Sequence, residues 1–414
     1  MSRAGIVAIL FSLVLTACGG GGGGSAVNQN PTVQPVTPHV IPSTFSPGAT
    51  LQGNFRLARL DYRYDTASNS FNSAGYQTTS YQAVASMVDQ IKAVGFTGLY
   101  IQLEVPVNNL TGLINDDPNN IKTPPKALWQ VVDYAKSIGL QVWISLEIDD
   151  SNTDVGFTPN LSLFSEDKLF NSIINFDVPI ASLAEQHHVD GINIGEGSFS
   201  LEGSSHINYW INLINQIKNV YSGKLSYTTM IVADTPIFGY VDYISVFLSG
   251  GLSKTPVTDL TSIVKLFNND IYGVDEVAQL RKLATKYNKK IILSAGYKGI
   301  DAGVNIDPTD FFTAMTTNFT VGATNYTTTN TDLKNLKVQA FLEMVGLELS
   351  DVAIGVTLKE FSPWLQDTKF TDPANPVYQY YCCSWEISVD AQEQKTINSY
   401  FSKPWNYHSI NSLN

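Results

Sequence analysis

The stretch Val189-Asp190-Gly191-Ile192-Asn193-Ile194-Gly195-Glu196 decides the fold. Its residues are mostly apolar or small on both faces, which is typical of a strand that is buried on both sides in a parallel sheet. Predicted helices, residues 165–187 and 206–221, flank it on either side. The stretch therefore predicts one strand of a strand–helix alternation, and this strand ends on the carboxylate of Glu196.

The same alternation continues along the chain. Glycines at positions 95 and 139 should end two of the helices, because glycine tolerates the left-handed geometry of a helix end. The predicted strands are residues 55–62, 99–105, 141–148, 189–196, 224–231, 240–248, 290–294 and 353–358. The other predicted helices are residues 81–94, 126–138, 259–267, 275–287, 331–349 and 386–401.

Strand–helix units that repeat in this way favour a closed (β/α)8 (TIM) barrel over an open doubly wound sheet. No glycine-rich phosphate loop follows the first predicted strand, which counts against a nucleotide-binding fold. The expected fold class is therefore α/β, a (β/α)8 barrel occupying residues 51–414. In such barrels the chemistry lies at the carboxyl ends of the strands.

The first residues of the chain are typical of an export signal. A basic start, an apolar run too short to span a bilayer stably and small residues lead to Leu15-Thr16-Ala17-Cys18. This tetrapeptide resembles the lipobox of bacterial lipoproteins, which implies a signal peptide over residues 1–17 and lipidation of Cys18. Residues 18–50, rich in Gly, Pro and Asn, predict a flexible tether. Gly19 favours the outer membrane by the same resemblance, so the expected location is the bacterial cell envelope.

The composition narrows the partners further. Charged residues make up 15% of the chain and the net charge is −12, so nucleic acid is not an expected partner, because its phosphates need a basic stripe. No Cys/His spacing indicates zinc, and His187-His188 should lie away from the active face. We expect no metal and no cofactor. Cys382 and Cys383 are adjacent and could form a vicinal disulfide, link two chains or stay reduced.

Acidic and aromatic residues collect at the predicted carboxyl ends of the strands. Acids accompanied by aromatic faces suit a carbohydrate, since sugar CH faces stack on rings while hydroxyls need acceptors. A glycosidase also needs two carboxyl groups across the scissile bond, one protonated and one ionised. The acids are Asp61, Glu104, Glu147, Asp149, Asp150, Glu196 and Glu360, and the aromatics include Tyr62, Phe247, Tyr297, Phe361 and Trp364.

Several short motifs carry a resemblance to a known group. They are the Ile194-Gly195-Glu196 ending, Asp242-Tyr243-Ile244-Ser245 in the sixth strand and Gly296-Tyr297 after the seventh. Together with the strand order, they resemble the TIM-barrel glycoside hydrolases of the clan that includes the β-mannanases of family 113. The resemblance would cover residues 55–402. It implies an acid/base glutamate at the end of the fourth strand, here Glu196, and a nucleophilic glutamate at the end of the seventh.

The seventh strand departs from this pattern, because Ser294 or Ala295 stands where the nucleophile is implied. Three alternatives follow. Glu360 on the eighth strand serves as the partner, Asp301 reaches back on its loop, or the protein has kept the groove and lost hydrolysis. A chitinase-type pattern also fails, because Asn193 and Gly195 stand where that family needs acids.

The leading hypothesis is a lipid-anchored glycoside hydrolase-like protein that acts on an oligo- or polysaccharide outside the cytoplasm. Glu196 is the expected general acid/base, with a pKa raised by burial, and Glu360 the expected second catalytic carboxylate. The alternative is a catalytically inactive carbohydrate-binding barrel. The residues expected to bind the sugar are Asp61, Tyr62, Glu104, Glu147, Asp149, Tyr297 and Trp364.

Overall fold

A computed structural model gives the structure of the 414-residue chain. It describes residues 55–61, 64–65, 70–71, 81–108, 111, 113–114, 126–150, 161, 164–248, 252, 257, 259–270, 273–296, 319–321, 324–326, 331–361, 387–388 and 390–402. The predicted signal peptide, the tether with Cys18, and the Cys382-Cys383 pair lie outside the described residues.

Eight parallel strands form a closed barrel, which confirms the predicted fold class. Each strand pairs with its neighbours in chain order, and the first strand pairs with both the second and the eighth, which closes the ring. The strands are β1 (Phe55–Asp61), β2 (Gly98–Asn108), β3 (Gln141–Asp150), β4 (Gly191–Glu196), β5 (Lys224–Thr229), β6 (Tyr243–Leu248), β7 (Ile291–Ala295) and β8 (Ala353–Phe361).

Helices surround the barrel close to the predicted positions, except that the last one begins at Ala391 and not at residue 386. Gly95 and Gly139 follow the first two of them with φ values of 104° and 85°, as expected for residues that end helices. The helices are α1 (Tyr81–Val94), α2 (Lys126–Ser137), α3 (Glu166–Gln186), α4 (Ile207–Lys218), α5 (Leu260–Leu266), α6 (Glu276–Tyr287), α7 (Thr331–Glu348) and α8 (Ala391–Phe401). Among the described residues, no helix has the length and apolar character needed to cross a bilayer.

The sixth strand begins later than predicted. Residues Pro236–Gly239 form a 3-10 turn just before the predicted start at residue 240. The N–H of Tyr240 closes this turn by donating to the Ile237 carbonyl at 2.9 Å, so Tyr240 belongs to the turn and not to the strand. Proline is favoured in the first turn of a helix because its missing N–H would be unpaired there anyway. The strand therefore starts at Tyr243, after this turn.

An apolar plug fills the amino-terminal part of the barrel interior. Phe55, Tyr100, Trp143 and Ile292 pack together there, and Phe55 meets the Trp143 ring edge-on at 5.5 Å. A Cβ atom at Gly191 would lie 2.4 Å from the Trp143 ring, so only glycine fits on β4 at this level. Because the plug closes this end, any site inside the barrel must open at the carboxyl ends of the strands.

Candidate active site

A layer of hydroxyl and amide groups lies above the plug. The Tyr100 hydroxyl donates to Ser145 Oγ at 3.1 Å, and Asn193 Nδ2 donates to the same atom at 3.0 Å. Asn193 Oδ1 accepts from Ser226 Oγ at 3.1 Å and from Thr228 Oγ1 at 3.0 Å. Asn193 therefore joins β4 to both of its neighbouring strands.

A β-bulge in β4 brings Glu196 into the interior. The register with β5 runs from Asn193 opposite Ser226 to Glu196 opposite Thr228, so β4 carries one extra residue. Asn193 Nδ2 also donates to the Gly195 carbonyl at 2.9 Å, inside the bulge. In a regular strand, residues three apart face opposite sides of the sheet, whereas the bulge brings Asn193 and Glu196 to the same side.

Among the described side chains of the mouth, Arg59 of β1 binds two carboxyl groups that are largely buried. Its Nη1 donates to Glu196 Oε1 at 3.0 Å and Oε2 at 3.4 Å, and its Nη2 donates to Glu147 Oε1 at 2.8 Å. Its Nε donates to Gln102 Oε1 at 2.6 Å, and Gln102 Nε2 donates to the other oxygen of Glu147. The side chains of Arg59, Glu147 and Glu196 are 4%, 13% and 6% exposed. We call these four residues the Arg59 network.

The pKa values of the two carboxyl groups are shifted in opposite directions. Burial raises the pKa of Glu147 well above its usual range and the negative charge of Glu196 raises it further, although Arg59 and Lys359 act the other way. Burial would also raise the pKa of Glu196, but Arg59, the hydrogen bond with Glu147 and the charge of Lys359 outweigh burial and lower it. Glu147 therefore holds a proton to higher pH than Glu196, which ionises first. The prediction that the pKa of Glu196 is raised was wrong, because it left out Arg59.

Beside the end of β7 lies the side chain of Lys359, which comes from β8. Ser294 is buried on β7, between Phe247 of β6 and Thr357 of β8 in the strand register. The stem of Lys359 lies against Gly296, where an added Cβ would come within 2.8 Å of the Lys359 Cβ. Its Nζ lies 4.7 Å from the centre of the Phe247 ring. Lys359 thus reaches from β8 past β7 to β6.

The other predicted site residues fall into two groups. Asp61, Glu104, Asp149 and Glu360 lie on the carboxyl-terminal parts of β1, β2, β3 and β8, and Glu104 pairs with Glu147 in the register of β2 with β3. Only the backbone of these four residues is described. Tyr62, Tyr297, Trp364 and Asp301 lie outside the described residues.

Sequence analysis missed Arg59, Gln102 and Lys359. Arg59 left a signal, because a charged residue inside the otherwise apolar run 55–60 must find partners once it is buried. Gln102 is likewise a polar residue inside an apolar strand. Lys359 had no comparable signal, since a lysine near a strand end is usually solvated.

Two other residues that the sequence analysis named, His187 and Phe361, lie outside the mouth. His187 Nδ1 lies 2.7 Å from Asp133 Oδ1, and its ring stacks on Trp129 at 4.7 Å. Phe361 packs edge-on against Phe96 at 5.5 Å, which places it in the outer core and not in the groove. Within the described part of the chain, no three His, Cys, Asp or Glu side chains are grouped to hold a metal ion.

Comparison with known proteins identifies the family. The model of Glycoside Hydrolase Family 113 matches residues 79–337, which span α1 to α7 and include Glu147 and Glu196. The chain belongs to glycoside hydrolase family 113. No curated protein matches the sequence.

Solved structures of family 113 enzymes share the fold. A GH113 β-1,4-mannanase has a TM-score of 0.60 and 14% identity over 85% of this chain and 100% of its own. The GH113 β-mannanase AaManA from Alicyclobacillus acidocaldarius, in complex with ManMIm, has a TM-score of 0.56 and 14% identity over 85% and 98% of the two chains. At this level of identity, the TM-scores show that the barrel fold is shared. The protein is thus glycoside hydrolase-like in family and in fold.

Proposed function

We propose that this family 113 protein binds an oligo- or polysaccharide at the mouth of the barrel and does not cleave it by double displacement. The observation that carries the proposal is Ser294. It occupies a buried position at the end of β7, where the resemblance implies the nucleophilic glutamate. A retaining glycosidase needs a carboxylate that forms and then releases a glycosyl ester, and an unactivated serine hydroxyl does not replace it.

The chemistry of the mouth suits a pyranose ring. Glu196 offers ionised acceptor oxygens, the carboxyl group of Glu147 offers a donor when it is protonated, and the ammonium group of Lys359 offers further donors. Sugar hydroxyls need both kinds of partner in a site with little water. β-1,4-Mannan is the first ligand to test, because two of the structural neighbours are β-1,4-mannanases.

Hydrolysis is the second candidate function. In that case Glu196 is the general acid/base and Glu360, from the strand on the far side of the ring, is the partner carboxylate. The observation in its favour is that Arg59 holds two carboxyl groups side by side whose pKa values are shifted in opposite directions, so Glu147 can supply a proton to Glu196. A substrate that displaced Arg59 from Glu196 would remove the main cause that lowers the pKa of Glu196. Burial would then raise this pKa.

One experiment separates the two functions. The full-length protein is titrated by calorimetry with oligosaccharides of mannan, glucan, chitin and peptidoglycan, and each mixture is assayed for released reducing sugar. Binding without release supports the first function. Release that is lost in Glu196→Gln supports hydrolysis by Glu196, while release that persists in this variant removes Glu196 from the acid/base role. Absence of binding to all four glycans overturns both.

A gain-of-function variant tests the role of β7 directly. Ser294→Glu places a carboxylate at the end of β7, and Ser294→Gln is its matched control because it has the same volume without the charge. If Ser294 is what separates binding from cleavage, only Ser294→Glu should release reducing sugar from a glycan that the wild type binds. Equal release by both variants would show that the charge at this position is not the decisive difference.

We also propose that the protein is anchored to the bacterial cell envelope by a lipid on Cys18, with the sugar-binding barrel held away from the membrane by residues 18–50. The support is the Leu15-Thr16-Ala17-Cys18 sequence and the apolar run before it. Cell fractionation of the wild type and of Cys18→Ser tests the anchor. The wild type should sediment with the outer membrane and the variant should not, and membrane association that survives in the variant would contradict the proposal.

A further inference from the structure

The loop that follows Glu196 is held at Leu201 and Glu202 by three side-chain hydrogen bonds. It runs from Gly197 to His206 and contains two 3-10 turns. Trp210 Nε1 donates to the Leu201 carbonyl at 2.9 Å. Thr235 Oγ1 donates to the Glu202 carbonyl and the Tyr227 hydroxyl donates to Glu202 Oε1, each at 2.9 Å. Two of the three bonds therefore meet at Glu202.

Tyr227 connects Glu202 to the strand that carries Glu196. Its ring is fully buried and meets Trp210 edge-on at 5.1 Å. A Cβ atom at Gly195 would lie 3.0 Å from Tyr227 Cε2, so the ring lies directly against the backbone next to Glu196. A movement of the Tyr227 ring would therefore be transmitted to the bulge of β4.

The surroundings of Glu202 disfavour its charged form. Burial raises the pKa of Glu202 to about 7, although the hydrogen bond from Tyr227 acts in the opposite direction. His206, in the same loop, pairs with Glu166, and Asp234, next to Thr235, pairs with Lys286 and Tyr287. Among the described side chains, no lysine, arginine or histidine hydrogen bonds with Glu202.

We propose that Glu202 is a positioning residue for Glu196: its protonated carboxyl group holds Tyr227 and the loop in place, and loss of that proton to water releases them. Ionisation would leave a buried carboxylate without a cation, so the side chain turns toward water and the buried Tyr227 hydroxyl loses its acceptor. The inference rests on the proposed function only in making Glu196 a ligand contact.

The pH range of this effect follows from the two states of the loop. With the loop closed, the pKa of Glu202 is about 7, and in an open loop it returns toward the usual 4.5. The closed loop is therefore most stable below pH 4.5 and loses its advantage as the pH rises to about 7.

Hydrogen–deuterium exchange of the full-length protein, followed by mass spectrometry, measures the loop without any ligand. Peptides covering residues 197–206 are compared between wild type and Glu202→Gln at about pH 5 and about pH 8. Glutamine keeps an acceptor for Tyr227 and cannot ionise. Comparing the proteins at one pH also cancels the intrinsic pH dependence of exchange. Glu185→Gln, which changes an exposed glutamate bonded to Ser222 at the other end of the barrel, is the matched control.

The wild type should exchange at this loop faster than Glu202→Gln by about tenfold or more at the higher pH, with little difference at the lower pH. Glu185→Gln should follow the wild type. A ratio that is the same at both pH values, or a difference spread over the whole barrel, would overturn the proposal. Tyr227→Phe provides a second test. Because it removes the hydrogen bond that lowers the pKa of Glu202, it should move the pH profile of the loop to higher pH, and a wild-type profile in this variant would also count against Glu202.

None of these outcomes depends on a sugar. If the protein binds a glycan but the exchange of the loop does not depend on pH in the expected way, only the inference about Glu202 is wrong. If the loop shows the expected pH dependence but the protein binds no glycan, only the proposed function is wrong.

Discussion

The two halves of the barrel mouth differ in how they are built. The half formed by β1 to β4 contributes the Arg59 network, in which one guanidinium group joins two carboxyl groups and an amide. The half formed by β5 to β7 has no acidic residue in residues 224–229, 243–248 and 291–296, and presents hydroxyl groups and Phe247 instead. Lys359 supplies the charge on that side.

This difference implies that binding of a sugar and cleavage of its glycosidic bond depend on different halves of the mouth. The first half is rich in charge-assisted acceptors and donors that can orient a sugar. A double displacement needs a second carboxylate on the far side of the anomeric carbon, about 5 to 5.5 Å from the first. Among the described side chains, the carboxyl groups of the mouth lie in the first half. Changing each half separately should therefore affect different properties.

The largest effect should follow from removing the centre of the Arg59 network. Arg59→Met leaves the buried carboxylate of Glu196 without the cation that bonds to it, so we expect a loss of about 3 to 5 kcal/mol in the free energy of unfolding. Urea denaturation measures the loss. Arg281→Met is the control, because Arg281 pairs with Asp351 at the surface, where such pairs contribute up to about 1 kcal/mol. Similar losses in both variants would show that Arg59 is not held as a buried charge.

The second prediction distinguishes the two carboxyl groups by one identical change. Glu147→Gln should cost less than about 1 kcal/mol at a pH where Glu147 is still protonated, because the amide replaces a neutral carboxyl group there. Glu196→Gln should cost about 2 to 3 kcal/mol, because it removes the ion that balances Arg59. Urea denaturation of both variants gives the comparison. A larger loss in Glu147→Gln would mean that the proton resides on Glu196 instead.

The third prediction concerns the pH dependence of the same pair. The pKa of Glu196 is lowered by folding, so its contribution to stability is present above its usual range and is lost as the pH falls. The pKa of Glu147 is raised, so its contribution is present at low pH and is lost as the pH rises. Each change has a limiting slope of about 1.4 kcal/mol per pH unit.

Denaturation across a pH series should therefore show two separate effects. Glu196→Gln should flatten the acid limb of the stability profile, and Glu147→Gln should flatten the alkaline limb. The difference between each variant and the wild type removes the contribution of other buried acids such as Glu202 and Glu276. If both variants flatten the same limb, the assignment of opposite protonation states does not hold.

The strands and helices of the barrel could be predicted from the sequence, because their apolar periods are local. Glu196 was also found in this way, as the acid that ends an apolar run. Its contact with Arg59 could not be predicted, because the two residues are 137 positions apart and meet only after the ring closes. The bulge between Asn193 and Glu196 adds to the difficulty, since strict alternation would have turned Glu196 outward. The pKa of Glu196 then followed its partner and not its burial.

The smallest effect should come from the second half of the mouth. Lys359→Met keeps the length of the side chain and removes its ammonium group, so a bound sugar loses one donor while the stem still packs against Gly296. We expect about a fivefold loss of glycan affinity, or about 1 kcal/mol, by calorimetry. The free energy of unfolding should change by less than the loss in Arg59→Met. Lys290→Met, whose ammonium group bonds to the Asp351 carbonyl near the start of β7, is the control and should bind like the wild type. If Lys359→Met binds the glycan unchanged, the sugar is held by the Arg59 side of the mouth alone, and the second half contributes only packing.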